Sequence, residues 1–275
     1  MQVWGVVFHA DSFTDNLFEQ GLALVDGSSQ ARIKRFYRRE DACRVLLGRL
    51  LPRVLLQKRG INLRDVVIGQ TDAGKPFIIS PILQDRIGFN ISHDNSLIAM
   101  AYQIESEEKE PEADPLKIGI DIMKVALPRY EQSFETFVHN LGDTLTPLER
   151  RLLEDPSALL TEKLRRIYLM WTLKEAYTKA IGYGLGFAFN RIECNVLENT
   201  VLIDGAAPRG WEFVVFSVNV QGHEVDKQEL YLGVVARFIG GDEVLRMAFR
   251  DHDEGSWFLQ YDAPSIVRFA LEGNN

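Results

Sequence analysis

Cysteine is nearly missing from this chain: 275 residues carry two, Cys43 and Cys194. Each sits inside an apolar periodic stretch, far from any CxxC or Cys/His spacing, which argues against a thiolate metal site and for two buried free thiols in a reducing compartment. The start, MQVWGVVFHADSF, has no basic n-region and soon meets His9 and Asp11. No apolar run approaches the ~20 residues needed to span a bilayer, so a cytoplasmic protein with no membrane role is expected. An excess of positive charge is lacking too. With 39 acidic against 31 basic side chains and a net charge of -8, the protein as a whole does not attract nucleic acid or an anionic membrane, and an anionic ligand needs a local basic pocket.

What is present is enough apolar material, 46% of residues, for a sizeable core, in a length between one large domain and two small ones. The one clear compositional break is ESEEKEPEADP, Glu105 to Pro115, in which Ala113 is the only apolar residue. It reads as an exposed acidic linker. Before it, the pattern predicts a strand at Val3 to His9, a basic helix from Ala31 to Lys58 with Phe36, Val45, Leu46, Leu50 and Val54 at helical spacings, and strands at Gly88 to Ser92 and Leu97 to Ile104 joined by His93-Asp94-Asn95-Ser96. After it come a strand at Leu116 to Val125, helices at about Glu131 to Leu153 and Thr161 to Ile181, and strands at Arg191 to Leu197, Glu212 to Val220 and Leu230 to Phe238. This is an α+β chain in two similar lobes, 1–115 and 116–275, with a ligand expected in the cleft. No residue-level repeat links the halves, and the apolar SIVRFALEG near the end has no assigned role.

Three groups of residues carry possible chemistry. In the strand after the linker, Ile118, Ile120 and Ile122 take the core face by alternation, which puts Gly119, Asp121 and Met123 on the other. A mid-strand Asp wants a reason, although a solvated second face is the plain alternative. On the Thr161 to Ile181 helix, Met170, Leu173, Tyr177 and Ala180 make the core stripe and Trp171, Glu175 and Lys179 a second one. Glu175 and Lys179 are then neighbours, either a surface ion pair or, given the Trp on the same stripe, part of a cleft. The third group is basic: Arg32, Lys34, Arg35, Arg38, Arg39 and Arg44, with Lys75 in the Gly74-Lys75-Pro76 turn and Ser92-His93 at a strand end. Solvated helix faces explain most of these, while a phosphate-rich ligand would use some.

The order of the motifs is more specific than any one of them. KRFYRREDACRVLLGRLL (Lys34 to Leu51), GKPFI (Gly74 to Ile78), FNISH (Phe89 to His93), GIDI (Gly119 to Ile122) and WTLKEAYTKAIGYGLGF (Trp171 to Phe187) together resemble the Sfp-type 4'-phosphopantetheinyl transferases, from about Arg32 to Phe189. GIDIMK and KAIGYGLGF are more similar to the eukaryotic branch serving aminoadipate reductase and fatty acid synthase.

The resemblance implies a pseudo-twofold α+β fold and a cytoplasmic, monomeric, Mg²⁺-dependent enzyme, with Mn²⁺ as a possible substitute. Such an enzyme moves 4'-phosphopantetheine from coenzyme A to a serine of apo acyl, peptidyl or aminoadipate reductase-type carrier domains and releases 3',5'-ADP. It implies Asp121 and Glu175 as metal ligands, Glu175 also as base, Lys179 on the pyrophosphate, and Arg32, Arg44, Lys75, Pro76, Ser92 and His93 against coenzyme A. Many bacterial members have Glu where Met123 stands. A thioether does not bind a hard cation, so Asp94, water and phosphate oxygens are expected to complete the coordination. The alternatives are a degenerate binder of coenzyme A or a carrier, disfavoured because Asp121, Glu175 and Lys179 are all present, and a nucleotide-dependent enzyme of another class. The latter would want a phosphate-cradling loop before a helix, and GYGLGF follows one. The stretch from Phe134 to Leu153 is the candidate carrier-facing surface, with core packing as its alternative.

Overall fold

The computed structural model describes residues 1–105, 115–222 and 228–272. The acidic linker therefore lies, apart from its ends, outside the described residues. The chain divides into two compact units, one made of Met1–Leu116, a short piece beginning at Val220 and the stretch from Glu254 onward, the other of Lys117–Asn219 and Gln228–Asp253.

The first unit opens with β1 (Gln2–Val7), α1 (Asp15–Leu22), α2 (Gly27–Ile33) and α3 (Arg39–Gln57). Thr14 caps α1 by accepting from Leu17 N, and Asp26 caps α2 by accepting from Ser29 N at 2.8 Å. The single helix expected from Ala31 to Lys58 is thus two. Arg38 is extended (φ -92°, ψ 129°), and Phe36 and Tyr37 are 38% and 100% exposed, so Phe36 is not part of the buried stripe. That stripe starts at Ala42 and runs through Leu46, Leu50 and Val54, packed on Trp4, Val6, Met100 and Tyr102. The chain continues with β2 (Val67–Gln70) and β3 (Pro76–Ser80), which pair as a separate two-stranded sheet, and then with β4 (Arg86–Asp94) and β5 (Leu97–Glu105), which join the sheet of β1. β4 and β5 form a hairpin in which Asp94 pairs with Leu97, leaving Asn95 and Ser96 as the turn. Asn95 takes the positive φ (44°) that such a two-residue turn demands.

The second unit holds β6 (Ile118–Lys124), α4 (Phe134–Asn140), α5 (Pro147–Glu154), α6 (Leu160–Ala180), β7 (Ile192–Asn195), β8 (Thr200–Ile203), β9 (Trp211–Gln221), β10 (Gln228–Phe238) and β11 (Arg246–Asp251). The helix expected over Glu131 to Leu153 is broken in two. Gly142 at φ 51° leaves the helical region, and α5 restarts with Pro147 behind a capping box of Thr146 and Glu149. Phe134, Phe137, Val138, Leu145 and Leu153 all enter the second core. The apolar face proposed for a carrier is therefore an inner face. Gly182, at φ 87°, closes α6 as expected.

The chain then departs from the expected boundary, which gave everything after residue 115 to the second lobe. Strand β12 (Phe258–Asp262) lies parallel to β1, with Val3 opposite Phe258. Helix α7 (Ala263–Glu272), the segment without an assigned role, buries Ala263, Ile266, Val267 and Ala270 in the first core. The sheet orders are β12-β1-β5-β4 and β11-β9-β10-β6. In each unit a strand, a long helix and a hairpin recur with the first strand beside the last: β1, α3, β4, β5 and β6, α6, β9, β10. The likeness of the lobes is one of topology.

On β6 the isoleucines are buried as expected, but the solvated second face offered as the plain alternative is ruled out. Residues 118–122 of β6 are all buried, so neither face of this part of the strand is wet. Helix α6 packs on the face of Gly119, Asp121 and Met123, with Met123 against the second core. A Cβ on Gly119 would stand 2.1 Å from the Ala176 carbonyl oxygen. Only glycine lets helix and strand approach this closely.

Candidate active site

That approach builds the acidic site. Asp121 is 4% exposed and Glu175 7%, both far drier than carboxylates usually are. Lys179, one turn after Glu175 on α6, donates to Asp121 Oδ1 at 2.7 Å and lies 3.9 Å from Glu175 Oε2. One ammonium thus serves two buried carboxylates. Burial pushes the Glu175 carboxyl above its ordinary value, Lys179 pulls it down, and Asp121 pushes it up. Trp171, half-buried one turn earlier, rests edge-on against Phe189 at 5.3 Å and walls this stripe. Glu175 and Lys179 are neighbours as the stripe suggested, and Asp121 joins them as the family resemblance implied, with none of the three on an open surface.

The donors fit a hard divalent cation, which takes one or two carboxylates and fills its remaining positions with water or phosphate oxygen. An excess of one negative charge beside Lys179 leaves a place for it. Among the described residues no three His, Cys, Asp or Glu side chains converge as a metal-binding group. Asp94 stands at the end of β4 in the first unit, where it accepts from Asn95 Nδ2 at 2.9 Å.

In the first unit a cavity of about 180 Å³ lies along one face of α3, lined by Val45, Gly48, Arg49 and Pro52 and closed by Pro76, Phe89, Ile91 and His93. Alternation explains which residues of β4 reach it: 89, 91 and 93 share one face, and Ser92, 6% exposed, belongs to the other. Ser92 and His93 therefore do not line it together. Arg49 was not singled out by sequence. It breaks the apolar stripe of α3 just after Gly48, and burial together with the neighbouring Arg32 lowers its affinity for a proton. Arg49 in the cavity wall, with the charge of Arg32 near enough to act on it, offers an anion a place to bind.

Two expected contacts have other partners. Arg44 donates to Asn95 O at 3.0 Å and pairs with Asp41 at 2.6 Å, which ties α3 to the turn that follows His93. Lys75 is 7% exposed and donates to Leu116 O at 2.9 Å, so its ammonium points inward and only the neighbouring Pro76 lines the cavity.

Comparison with known proteins agrees with this arrangement. The family description "4'-phosphopantetheinyl transferase, N-terminal" matches residues 12–105, and "4'-phosphopantetheinyl transferase superfamily" matches residues 117–230. The chain is similar to a 4'-phosphopantetheinyl transferase of Paxillus involutus, 44% identical over 99% of both chains. It is also similar to the L-aminoadipate-semialdehyde dehydrogenase-phosphopantetheinyl transferase of Rattus norvegicus, at 28% identity over 84% of this chain and 73% of the relative. A 4'-phosphopantetheinyl transferase of Bacillus subtilis is 30% identical over 60% of this chain and 63% of its own length. With buried carboxylates on β6 and α6, a lysine between them and a full-length relative at this identity, the chain belongs to the 4'-phosphopantetheinyl transferases and is an enzyme of that class.

Proposed function

We propose that the enzyme moves the 4'-phosphopantetheine arm of coenzyme A onto a serine hydroxyl of an apo carrier domain and releases 3',5'-ADP, with Mg²⁺ as cofactor and Mn²⁺ as a substitute. The observation that carries this reading is Lys179 set between the buried carboxylates of Asp121 and Glu175. The name of the rat relative supports carriers of the aminoadipate reductase type, alongside acyl and peptidyl carriers. The two buried free cysteines support a cytoplasmic setting.

Asp121 and Glu175 would hold the cation, which when bound draws charge from the pyrophosphate oxygens. Glu175 takes the serine proton. A base works best with a pKa close to working pH, and burial moves Glu175 in that direction. The serine oxygen then bonds to the β-phosphorus as the bond from that phosphorus to the oxygen of 3',5'-ADP breaks. Lys179 donates to the pyrophosphate and steadies the charge of the departing group. Arg32, Arg49 and His93 meet the phosphates of the adenosine end, and Pro76 packs on the adenine. A degenerate binder would not need all three members of the acidic site.

The test is incubation of the full chain with coenzyme A, Mg²⁺ and apo carrier domains of several classes, read by intact mass. Addition of one phosphopantetheine is expected, and no addition to any carrier overturns the reading. Glu175→Gln should lower transfer by about 10²–10⁴-fold while coenzyme A still binds.

A further inference from the structure

The lysine just before Glu175 faces inward. Lys174 is 1% exposed, and its Nζ donates to Glu149 Oε2 at 2.6 Å and to Thr144 O at 2.8 Å. Glu149, on α5, is 0% exposed. Its Oε2 also accepts from Thr146 N at 2.8 Å, and its Oε1 accepts from Cys194 N at 2.9 Å. A single ion pair therefore joins α6 to α5, to the turn before α5 and to β7, all within the second unit.

Stability does not account for it. Removing two charges from water costs as much as their attraction returns, and an apolar pair of similar volume is commonly as stable or more so. What an apolar pair lacks is direction. Burial of apolar surface is indifferent to small rotations of a helix, whereas short hydrogen bonds to a fixed carboxylate and a fixed carbonyl are not. Direction matters on this helix, because Lys179 must reach Asp121 across the approach that Gly119 permits, and Glu175 must share that site. A turn of α6 by about 20° moves a side-chain atom about 5–6 Å from its axis by about 2 Å. Misplacement by half that amount can cost about 10²-fold in rate.

We propose that Glu149 and Lys174 are a positioning pair that fixes the rotation of α6 and so sets where Glu175 and Lys179 stand relative to Asp121, without touching substrate. The role rests on the transfer reading above for its catalytic consequence. Its geometric consequence is separate and measurable as divalent-ion affinity.

The deciding variant is Glu149→Leu with Lys174→Met in the full chain, which removes both charges and keeps the volume. It should fold with a melting temperature at or above that of the unaltered protein, bind Mn²⁺ in the presence of coenzyme A at least about tenfold more weakly, and lose at least that factor in kcat with the KM for the carrier little changed. A double variant that binds Mn²⁺ and turns over normally overturns the proposal. One that fails to fold also overturns it, since the pair would then support the fold itself. If the unaltered protein modifies no carrier, the transfer reading falls, and the Mn²⁺ affinities still decide the positioning role.

Discussion

Glu175 is held where a carboxylate is uncomfortable, and this has a sign that can be measured. Its folded pKa lies above the ordinary value, so the folded protein binds more protons than the unfolded chain between those two values. In that window stability falls as pH rises. A divalent cation at the site should remove the effect, so melting temperatures against pH should slope downward through this range in EDTA and flatten with Mg²⁺. An identical slope under both conditions would separate the metal from Glu175. In the cavity proposed for coenzyme A, Arg49 stands with His93. Arg49→Met should weaken coenzyme A binding by about 1.5–3 kcal/mol, the range for a hydrogen bond to a charged group, and calorimetric titration would show it. At this scale an Asp in mid-strand and a Trp, Glu and Lys on one stripe were unusual for their elements, yet a solvated strand face and a surface ion pair explained them equally well. Only the ordered motifs of the family resemblance joined them into one site. Arg49 could not be read from sequence, because a single arginine in a basic helix looks like any other. The inward turn of Lys75 depends on Leu116 O, forty-one residues away, and no local pattern carries that.

Helices and strands were legible where one face was apolar and the stop signals were strong. Helix α6 matched its expected span within a residue at each end because Gly182 ends it. The two breaks that were missed, at residues 34–38 and around Gly142, fall where apolar residues happen to continue the helical spacing. On β6 the isoleucine face is buried as alternation indicated, but the opposite face is covered as well, and alternation does not reveal that second burial. Contact with α6 decides it, through Gly119. Gly119→Ala places a methyl against helix backbone at 2.1 Å, which cannot yield as a side chain would. The loss should reach or exceed the about 1–3 kcal/mol typical of overpacking, seen as a lower urea midpoint, and Mn²⁺ affinity should fall with it. A variant with the original midpoint would mean that strand and helix can separate without harm.

At the scale of the molecule, the sequence shows an α+β chain with similar halves, yet the similarity is not in its residues. It is in the sheet orders, which depend on strands meeting across long separations. The most distant of these meetings, β12 beside β1, was invisible for that reason. It should also be indispensable. Phe258, Ile266 and Val267 are 6%, 0% and 0% exposed, and at about 1.5–3 kcal/mol each they rival the roughly 5–15 kcal/mol that holds a whole domain together. Lys58, within 5.0 Å of the ring centres of Trp4, Tyr261 and Phe269, adds a clasp between the end of α3 and this segment. A chain ending at Asp253 should show no cooperative melt for the first unit and no coenzyme A binding, by circular dichroism and calorimetry. A truncated protein that melts normally would show the strand to be ornamental.

The same strand sets a timetable for biosynthesis. At about 5–20 residues per second, the span from Lys117 to Asp253 takes about 7–27 s to emerge. Until then β1 has an unpaired edge, and the helices of the first unit lack the apolar cover that α7 brings. The half that is made first is completed last. The second unit, whose strands and helices are contiguous in synthesis, can close while the first waits, so the nascent chain carries an open sheet edge of the kind that recruits other strands. Chaperone dependence during translation should fall mainly on the amino-terminal half.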